Sequence, residues 1–227
     1  MLPIIFLGPS LDVERAKKIF PLADYRPPAR KGDLLKIANE ENDVRFVGLI
    51  DGVFLQDYPP TPTETYTLIK KQNVTVAGAA SLGALRAVEL EKFGMLGIGR
   101  IFKLYKSGKI DSDDEVAVTF SEQDYKLQSE ALIDIRYTLY SAVKDGILEQ
   151  ETKKALIKIA KKTYFPSRNY DEIIERAKTV GVKQQELEKL KEYLKTHRKS
   201  LKEEDSIKLI EFVKKRYLES LKRPDER

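Results

Sequence analysis

Between Val74 and Glu91 the chain reads VTVAGAASLGALRAVELE. A β-branched run, Val74-Thr75-Val76, enters a turn of small residues, Ala77 to Gly83, and an Ala/Leu-rich helix follows. This is a strand, a tight turn and a helix, with Ser81 at the bend. Such a unit needs a sheet behind the strand and a helix layer over it. It also aims backbone N–H groups and one hydroxyl at a single spot, where the helix start adds partial positive charge. The spot suits an anion or attack on a carbonyl-like carbon.

The rest of the first half repeats this rhythm. Pro3–Leu7 reads as a buried strand ended by Gly8-Pro9-Ser10, and Ser10 or Asp12 as the cap of a helix over Val13–Phe20. Tyr25–Asp33 reads as a loop, because Pro27-Pro28 forbids a helix. Asp33–Asn39 is a predicted helix, Arg45–Ile50 a second strand ending at Asp51-Gly52, and Glu64–Gln72 a helix before the strand at Val74–Ala77. The expected fold is α/β, with a parallel sheet flanked by helices in a Rossmann-like three-layer arrangement. Ligands of such sheets sit beyond the strand carboxyl ends. Ser10, Asp51 and Ser81 all fall there.

From residue 111 the pattern is helical. Leu127, Ala131, Ile135, Leu139 and Ala142 predict a helix over Tyr125–Asp145, and Leu156 and Ile159 point inward from Lys153–Lys162. Ile207, Ile210, Val213, Tyr217 and Leu221 form the stripe of a final amphipathic helix. Thr196–Asp205 is expected to bend between helices, and the last few residues to fray. The expected organisation is an α/β core over 1–110 and a helical region over 111–227 packed on it.

Composition removes several chemistries. There is no Cys, which excludes disulfides, thiolate metal sites and Cys nucleophiles, and the single His197 excludes a multi-histidine metal site within one chain. Abundant Lys and Glu without Cys or Trp resemble a thermophile's surface. The apolar start Leu2–Leu7 lacks a basic leader and stops at Gly8-Pro9, and no run approaches the ~20 apolar residues of a membrane span. A cytoplasmic location and no membrane partner are therefore expected. Residues 1–150 carry 19 Lys+Arg and 22 Asp+Glu, whereas 151–227 carry 22 and 14. The basic half could meet nucleic acid or an acidic protein. Interspersed acids and no RNA-reading motif make a solvated helical surface the simpler account, so a nucleic-acid partner is not expected.

Ala79-Ala80-Ser81-Leu82-Gly83 differs from the G-x-S-x-G nucleophile elbow by one Ala for Gly. Ser81 is thus a nucleophile, an anion binder or a helix cap. A Ser-His-Asp triad would need His197 to fold back from lysine-rich surroundings, so an activated serine would need Asp51, Glu64 or Glu89 as base. Leu82, Arg86, Glu89 and Phe93 share a helix face; Arg86 and Glu89 are functional charges or an i,i+3 ion pair. Asp51-Gly52 is a base, a ligand or a turn. The acidic run Asp111–Glu115 could bind Mg²⁺, and Ser112 and Glu115 also fit a capping box, although Val116–Phe120 looks strand-like; a structural or interface role is the expected one. Gly94–Arg100 has glycines in the order G-x-x-G-x-G after a helix, which is not the dinucleotide pattern. With no Gly-Lys-Ser/Thr phosphate loop either, a phosphate- or nucleotide-binding module is the weakest reading, and no cofactor and no metal are expected.

These pieces together resemble the TfuA-like family, partners of YcaO enzymes in peptide thioamidation. The matching residues are Phe6–Leu11, Pro27-Pro28-Ala29 with Gly32-Asp33, Ile50–Phe54, Gly78–Ala87, Glu89, Gly94-Met95, Gly97, Gly99–Ile101, Asp113–Val118 and Ile135-Arg136, in family order over roughly the first 140 residues. Many relatives carry His-Lys-Glu where this chain has Pro62-Thr63-Glu64, so a role for that His does not carry over. The resemblance implies an accessory protein that helps deliver sulfur to a YcaO protein, which activates a backbone amide of a peptide or protein substrate with ATP. In methanogenic archaea the pair is linked to thioglycine in methyl-coenzyme M reductase. The implied sulfur source is a thiocarboxylated ubiquitin-like carrier protein. Its terminus would be received by Gly8, Ser10, Gly52, Gly78, Leu82 and Gly83, and hydrolysed by Ser81 with Asp51, Glu64, Arg86 and Glu89. The alternative is a non-catalytic docking or allosteric partner.

Overall fold

The computed structural model describes residues 1–53 and 58–222. Phe54 of the Ile50–Phe54 motif and the terminal residues expected to fray lie outside the described residues. Five strands, β1 (Ile4–Phe6), β2 (Asp24–Arg26), β3 (Phe46–Leu49), β4 (Thr75–Gly78) and β5 (Leu96–Gly97), form one sheet in the order β2-β1-β3-β4-β5. Every pairing is parallel. The helices between them are α1 (Val13–Ile19), α2 (Asp33–Glu40), α3 (Pro62–Lys70) and α4 (Leu82–Leu90), with α5 (Gly99–Lys106) after β5. The expected α/β architecture is present.

Two strands escaped the sequence pattern. The segment read as a loop from Tyr25 contains most of β2, which lies at the sheet edge and is started by the Asp24 N–H bond to Pro3 O. An edge strand this short needs no apolar run, and Pro27-Pro28 ends it. β5 is two residues inside a glycine-rich segment. The predicted helix Tyr125–Asp145 begins only at Leu132, as α6 (Leu132–Lys144). Tyr125 sits at φ 56°, and Phe120 forms an antiparallel bridge to Leu127. Val116–Phe120 is therefore not a strand beyond that one bridge; a 3-10 turn over Asp113–Glu115 precedes it.

The chain divides into two compact units. One is Met1–Asp111 with the last helix from Lys202; the other is Ser112–Leu201. The final helix, α10 (Leu201–Lys222), therefore groups with the sheet from Lys202 onward, rather than with the rest of 111–227. Its Leu209, Ile210 and Val213 are buried with Ile5, Leu7, Ala16, Phe20 and Ala77. Gly48 of β3 makes this possible, because a Cβ there would strike Leu209. Asp205 fastens the helix. This fully buried carboxylate accepts the Ile101 N–H at 2.7 Å and Lys208 Nζ at 3.0 Å. It caps α5 from another helix, and Gly99, at φ 93°, leaves the room it needs: a Cβ there would collide with the Asp205 carboxylate.

The second unit is helical: α6, α7 (Gln150–Lys162), α8 (Tyr170–Thr179) and α9 (Gln184–Leu194). They pack around Leu132, Leu139, Leu156, Ile173 and Leu190. The acidic run opens this unit structurally. Fully buried Arg168 pairs with Asp114 at 2.6 Å, and Arg136 grips Glu115 through two bonds of 2.8 Å. Ser112–Leu201 carries 17 Lys+Arg and 16 Asp+Glu, so the basic half of the sequence is not a basic domain.

Replacing Asp205 with Ala strips the Ile101 N–H of its acceptor and is expected to destabilise the protein by about 2 kcal/mol. Urea unfolding measures this; a variant as stable as the parent contradicts the capping role.

Candidate functional site

The strand order reverses direction between β1 and β3, and the crevice beyond their carboxyl ends is where doubly wound folds place ligands. Here the chain fills it with its own groups. Asp51 follows β3 and is 1% exposed. Its Oδ2 accepts the N–H groups of Gly8 (2.9 Å) and Ser10 (3.0 Å), and its Oδ1 accepts the Ser10 hydroxyl (2.6 Å). Ser10 is itself buried. Asp12, not Ser10, caps α1. Pro28 lies where a side chain on Gly8 would go. Ala29 then bridges to Gly52: its N–H donates to Asp51 O and its own O accepts from Val53 N, both at 3.0 Å. The N–H groups that would cradle a phosphate already hold a carboxylate.

The turn between β4 and α4 lies against the end of β3. Ala79 N donates to Leu49 O and Gly83 N to Ile50 O. The glycines around it are contacts of the fold. A Cβ on Gly83 would strike Leu49 O, one on Gly78 would strike Gly83 O, and one on Gly52 would strike Leu82. The left-handed residue of the turn is Ala80, at φ 63°, one position before Ser81. A residue with a Cβ is held there at a cost of roughly 1–2 kcal/mol, and such strain collects at functional turns.

Ser81 occupies the N-cap position of α4 but makes no side-chain capping bond. Its hydroxyl has no hydrogen-bond partner among the described residues, although the residue is only 7% exposed. Its N–H is turned back to Ala79 O at 2.8 Å. The next N–H, of Leu82, has no acceptor among the described residues. A near-buried hydroxyl and a backbone donor at a nine-residue helix start therefore stand together without partners. Among the described residues the one fully buried side-chain polar atom without a hydrogen-bond partner is Glu186 Oε1, so the Ser81 oxygen keeps some contact with solvent.

The other candidates are engaged elsewhere. Glu64 is the capping-box residue of α3: its carboxylate accepts the Thr61 N–H, its own N–H donates to Thr61 Oγ1, and the carboxylate also accepts the Gly32 N–H at 2.7 Å. The sequence signal for this was present in Thr61-Pro62-Thr63-Glu64, a T-x-x-E pattern with Pro at the first helical position. Arg86 is buried, donates to Pro60 O at 2.9 Å and pairs with Glu89 at 2.8 Å. Glu64 and Arg86 thus hold adjacent residues, Thr61 and Pro60, from two helices. The ion-pair reading of Arg86 and Glu89 describes their geometry.

His197 belongs to the helical unit and stacks on Tyr193 with ring centroids 4.6 Å apart. No group of three or more metal-binding side chains exists among the described residues. A cavity of about 460 Å³ lies at the opposite end of the strands, lined by Arg45, Phe46, Asn73 and Tyr217 among others, and is remote from this chemistry. No described helix is long and apolar enough to cross a membrane.

The family model described as TfuA-like protein matches residues 51–169, just over half of the chain. The chain belongs to the TfuA-like family. The matched span begins at Asp51 and takes in the Ser81 turn and the two arginine–carboxylate pairs of the helical unit, Arg136–Glu115 and Arg168–Asp114. No curated protein matches the chain. The TfuA-like match covers the unpartnered Ser81 hydroxyl and the Asp51 clasp, but not Gly8 or Ser10, which complete the clasp from outside the span.

The two polar groups differ in what they do for folding. Ser81→Ala removes a hydroxyl that bonds to nothing among the described residues and should change stability by less than about 1 kcal/mol, whereas Asp51→Ala orphans three donors and should cost about 3 kcal/mol or more. Thermal and urea unfolding of both variants check this; equal losses would show that Ser81 is a structural residue.

Proposed function

We propose that this TfuA-like protein is the accessory partner of a YcaO enzyme in peptide backbone thioamidation, and that it releases sulfide from a thiocarboxylated ubiquitin-like carrier at the Ser81 turn. The observation that carries the reading is the unpartnered pair formed by the Ser81 hydroxyl and the Leu82 N–H at the start of α4, within a TfuA-like sequence.

The chemistry needs little besides this pair. The Ser81 oxygen attacks the thiocarboxylate carbon, and the Leu82 N–H faces the oxyanion that develops there. The C–S bond breaks and hydrosulfide departs carrying the serine proton, so an anionic thiocarboxylate and a neutral alcohol become a neutral ester and HS⁻. Water then cleaves the ester, regenerating Ser81 and leaving the carrier as a carboxylate with release of a proton. Hydrosulfide is a far weaker base than an amine, so its departure requires no histidine acid. Sulfide set free beside the YcaO partner raises its local concentration there, and the peptide or protein substrate is engaged through that partner.

A second reading is favoured by one observation: among the described residues no carboxylate hydrogen-bonds to Ser81, and Asp51 and Glu64 are bound to backbone N–H groups. In that reading the protein docks or activates the YcaO enzyme without chemistry of its own. The Asp51 carboxylate in the β1 loop argues against a phosphate or nucleotide ligand.

Mixing the purified protein with a thiocarboxylated carrier and measuring sulfide separates the readings. Wild type is expected to release sulfide, and Ser81→Ala to lose 100-fold or more, about 3 kcal/mol of transition-state stabilisation. Undiminished release by Ser81→Ala eliminates the nucleophile. No release by wild type, even with YcaO present, together with full YcaO activation by Ser81→Ala, establishes the docking role instead.

A further inference from the structure

The segment from Lys92 to Ile110 carries five Lys or Arg residues and no Asp or Glu. It contains β5, the edge of the sheet, and α5. Lys92, Lys103, Lys106 and Lys109 are all exposed; Lys106 pairs with Glu91 at 2.7 Å. Two large apolar side chains stand among these cations, Phe93 at 52% exposure and Leu96 at 39%. Phe93 is fixed edge-on against Tyr66, with centroids 5.2 Å apart.

β5 pairs with β4 on one side and with no strand on the other among the described residues. Ile98 N donates to Gly78 O on the β4 side. Backbone groups alternate sides along a parallel strand, so the N–H and C=O of Gly97 point away from β4, toward the outer edge. Natural edges are usually blunted by charge. Here the segment 92–110 is charged with one sign, and among the described residues only Lys106 of its exposed lysines is ion-paired, with Glu91 just before the segment; the remaining excess repels a second copy of this chain and attracts an acidic strand.

Strand direction adds the decisive point. All five strands run toward the rim that holds Ser81. A peptide added parallel to β5 would run the same way and present its C-terminus at that rim. Neighbouring strands are ~4.8 Å apart, so such a peptide lies about 10 Å from β4, a span of roughly three extended residues to the start of α4. We propose that the outer edge of β5 is the docking strip for an extended C-terminal tail of an acidic partner protein, laid parallel to β5 as a sixth strand. Its backbone bonds to Gly97, its apolar side chains meet Phe93 and Leu96, and its carboxylates face Lys92 and Lys103. This rests on the reading that Ser81 acts on a terminal thiocarboxylate, and it names how that terminus arrives.

The test uses the full-length protein and a ubiquitin-fold carrier in its thiocarboxylate and carboxylate forms, with thioacetate as a tail-less substrate. The carboxylate carrier is expected to protect the Gly97 amide from hydrogen exchange. Lys92→Glu with Lys103→Glu should weaken its binding at least tenfold and raise KM for sulfide release by a similar factor, while thioacetate cleavage is unchanged. Leu96→Asp provides a second, independent probe with the same expectation. Carrier bound with Gly97 protected but no sulfide released supports the strip and overturns the chemistry at Ser81. Sulfide released with unchanged affinity in both variants overturns the strip and leaves that chemistry standing. Tighter binding of single-stranded RNA than of carrier, lost in the Lys92/Lys103 variant, also overturns it and makes the patch a nucleic-acid surface.

Discussion

The sheet's ligand crevice is closed by one carboxylate. Asp51 reaches from the end of β3 to the loop after β1 and accepts two backbone N–H groups and the Ser10 hydroxyl. A buried carboxylate is tolerated only with such compensation, and its removal leaves three donors bare. This clasp has two consequences. It joins β1 to β3 at the point where their connections diverge, and it fills the crevice with an acceptor that takes up the donors of the first loop. A doubly wound sheet that would otherwise offer its first loop to phosphate has the Gly8 and Ser10 N–H groups of that loop already engaged. The open polar groups lie one strand further along, at the start of α4.

Close backbone contact places that second spot. Gly78 and Gly83 let α4 descend onto the ends of β3 and β4, and Gly52 admits Leu82. The cost falls on Ala80, which takes the left-handed conformation between a strand and a helix too near each other for an easier turn. From the opposite face, α10 fills the space above Gly48 and caps α5 through Asp205. The glycines that resemble ligand-binding positions in the sequence are thus the means by which the Ser81 turn is held, with Glu64 and Arg86 anchoring the approach to α3.

The fold was legible where apolar runs and turn residues coincide: β1, β3, β4 and the helices that follow them. β2 and β5 were not, because edge strands of two or three residues carry no periodicity of their own. The final helix was legible as a helix, but its company was not, since only the space above Gly48 shows where its stripe goes. At the site, the sequence placed Ser10, Asp51 and Ser81 on one rim, yet gave no sign that Asp51 would be consumed by Ser10 and Gly8. The engagement of Glu64 was written in the Thr61–Glu64 spacing and hidden only by its appeal as a base. The bare hydroxyl of Ser81 is visible in coordinates alone, because a serine before a helix ordinarily caps it.

The central claim is that Ser81 takes the acyl group of an incoming thiocarboxylate. Rapid mixing with a thiocarboxylated carrier, acid quench and peptide-level mass spectrometry tests it most directly. The account predicts a carrier-tail ester on the peptide containing Ser81, formed in step with the first turnover of sulfide and absent from Ser81→Ala. Sulfide appearing at the same rate with Ser81 unmodified, in wild type and variant alike, would contradict it.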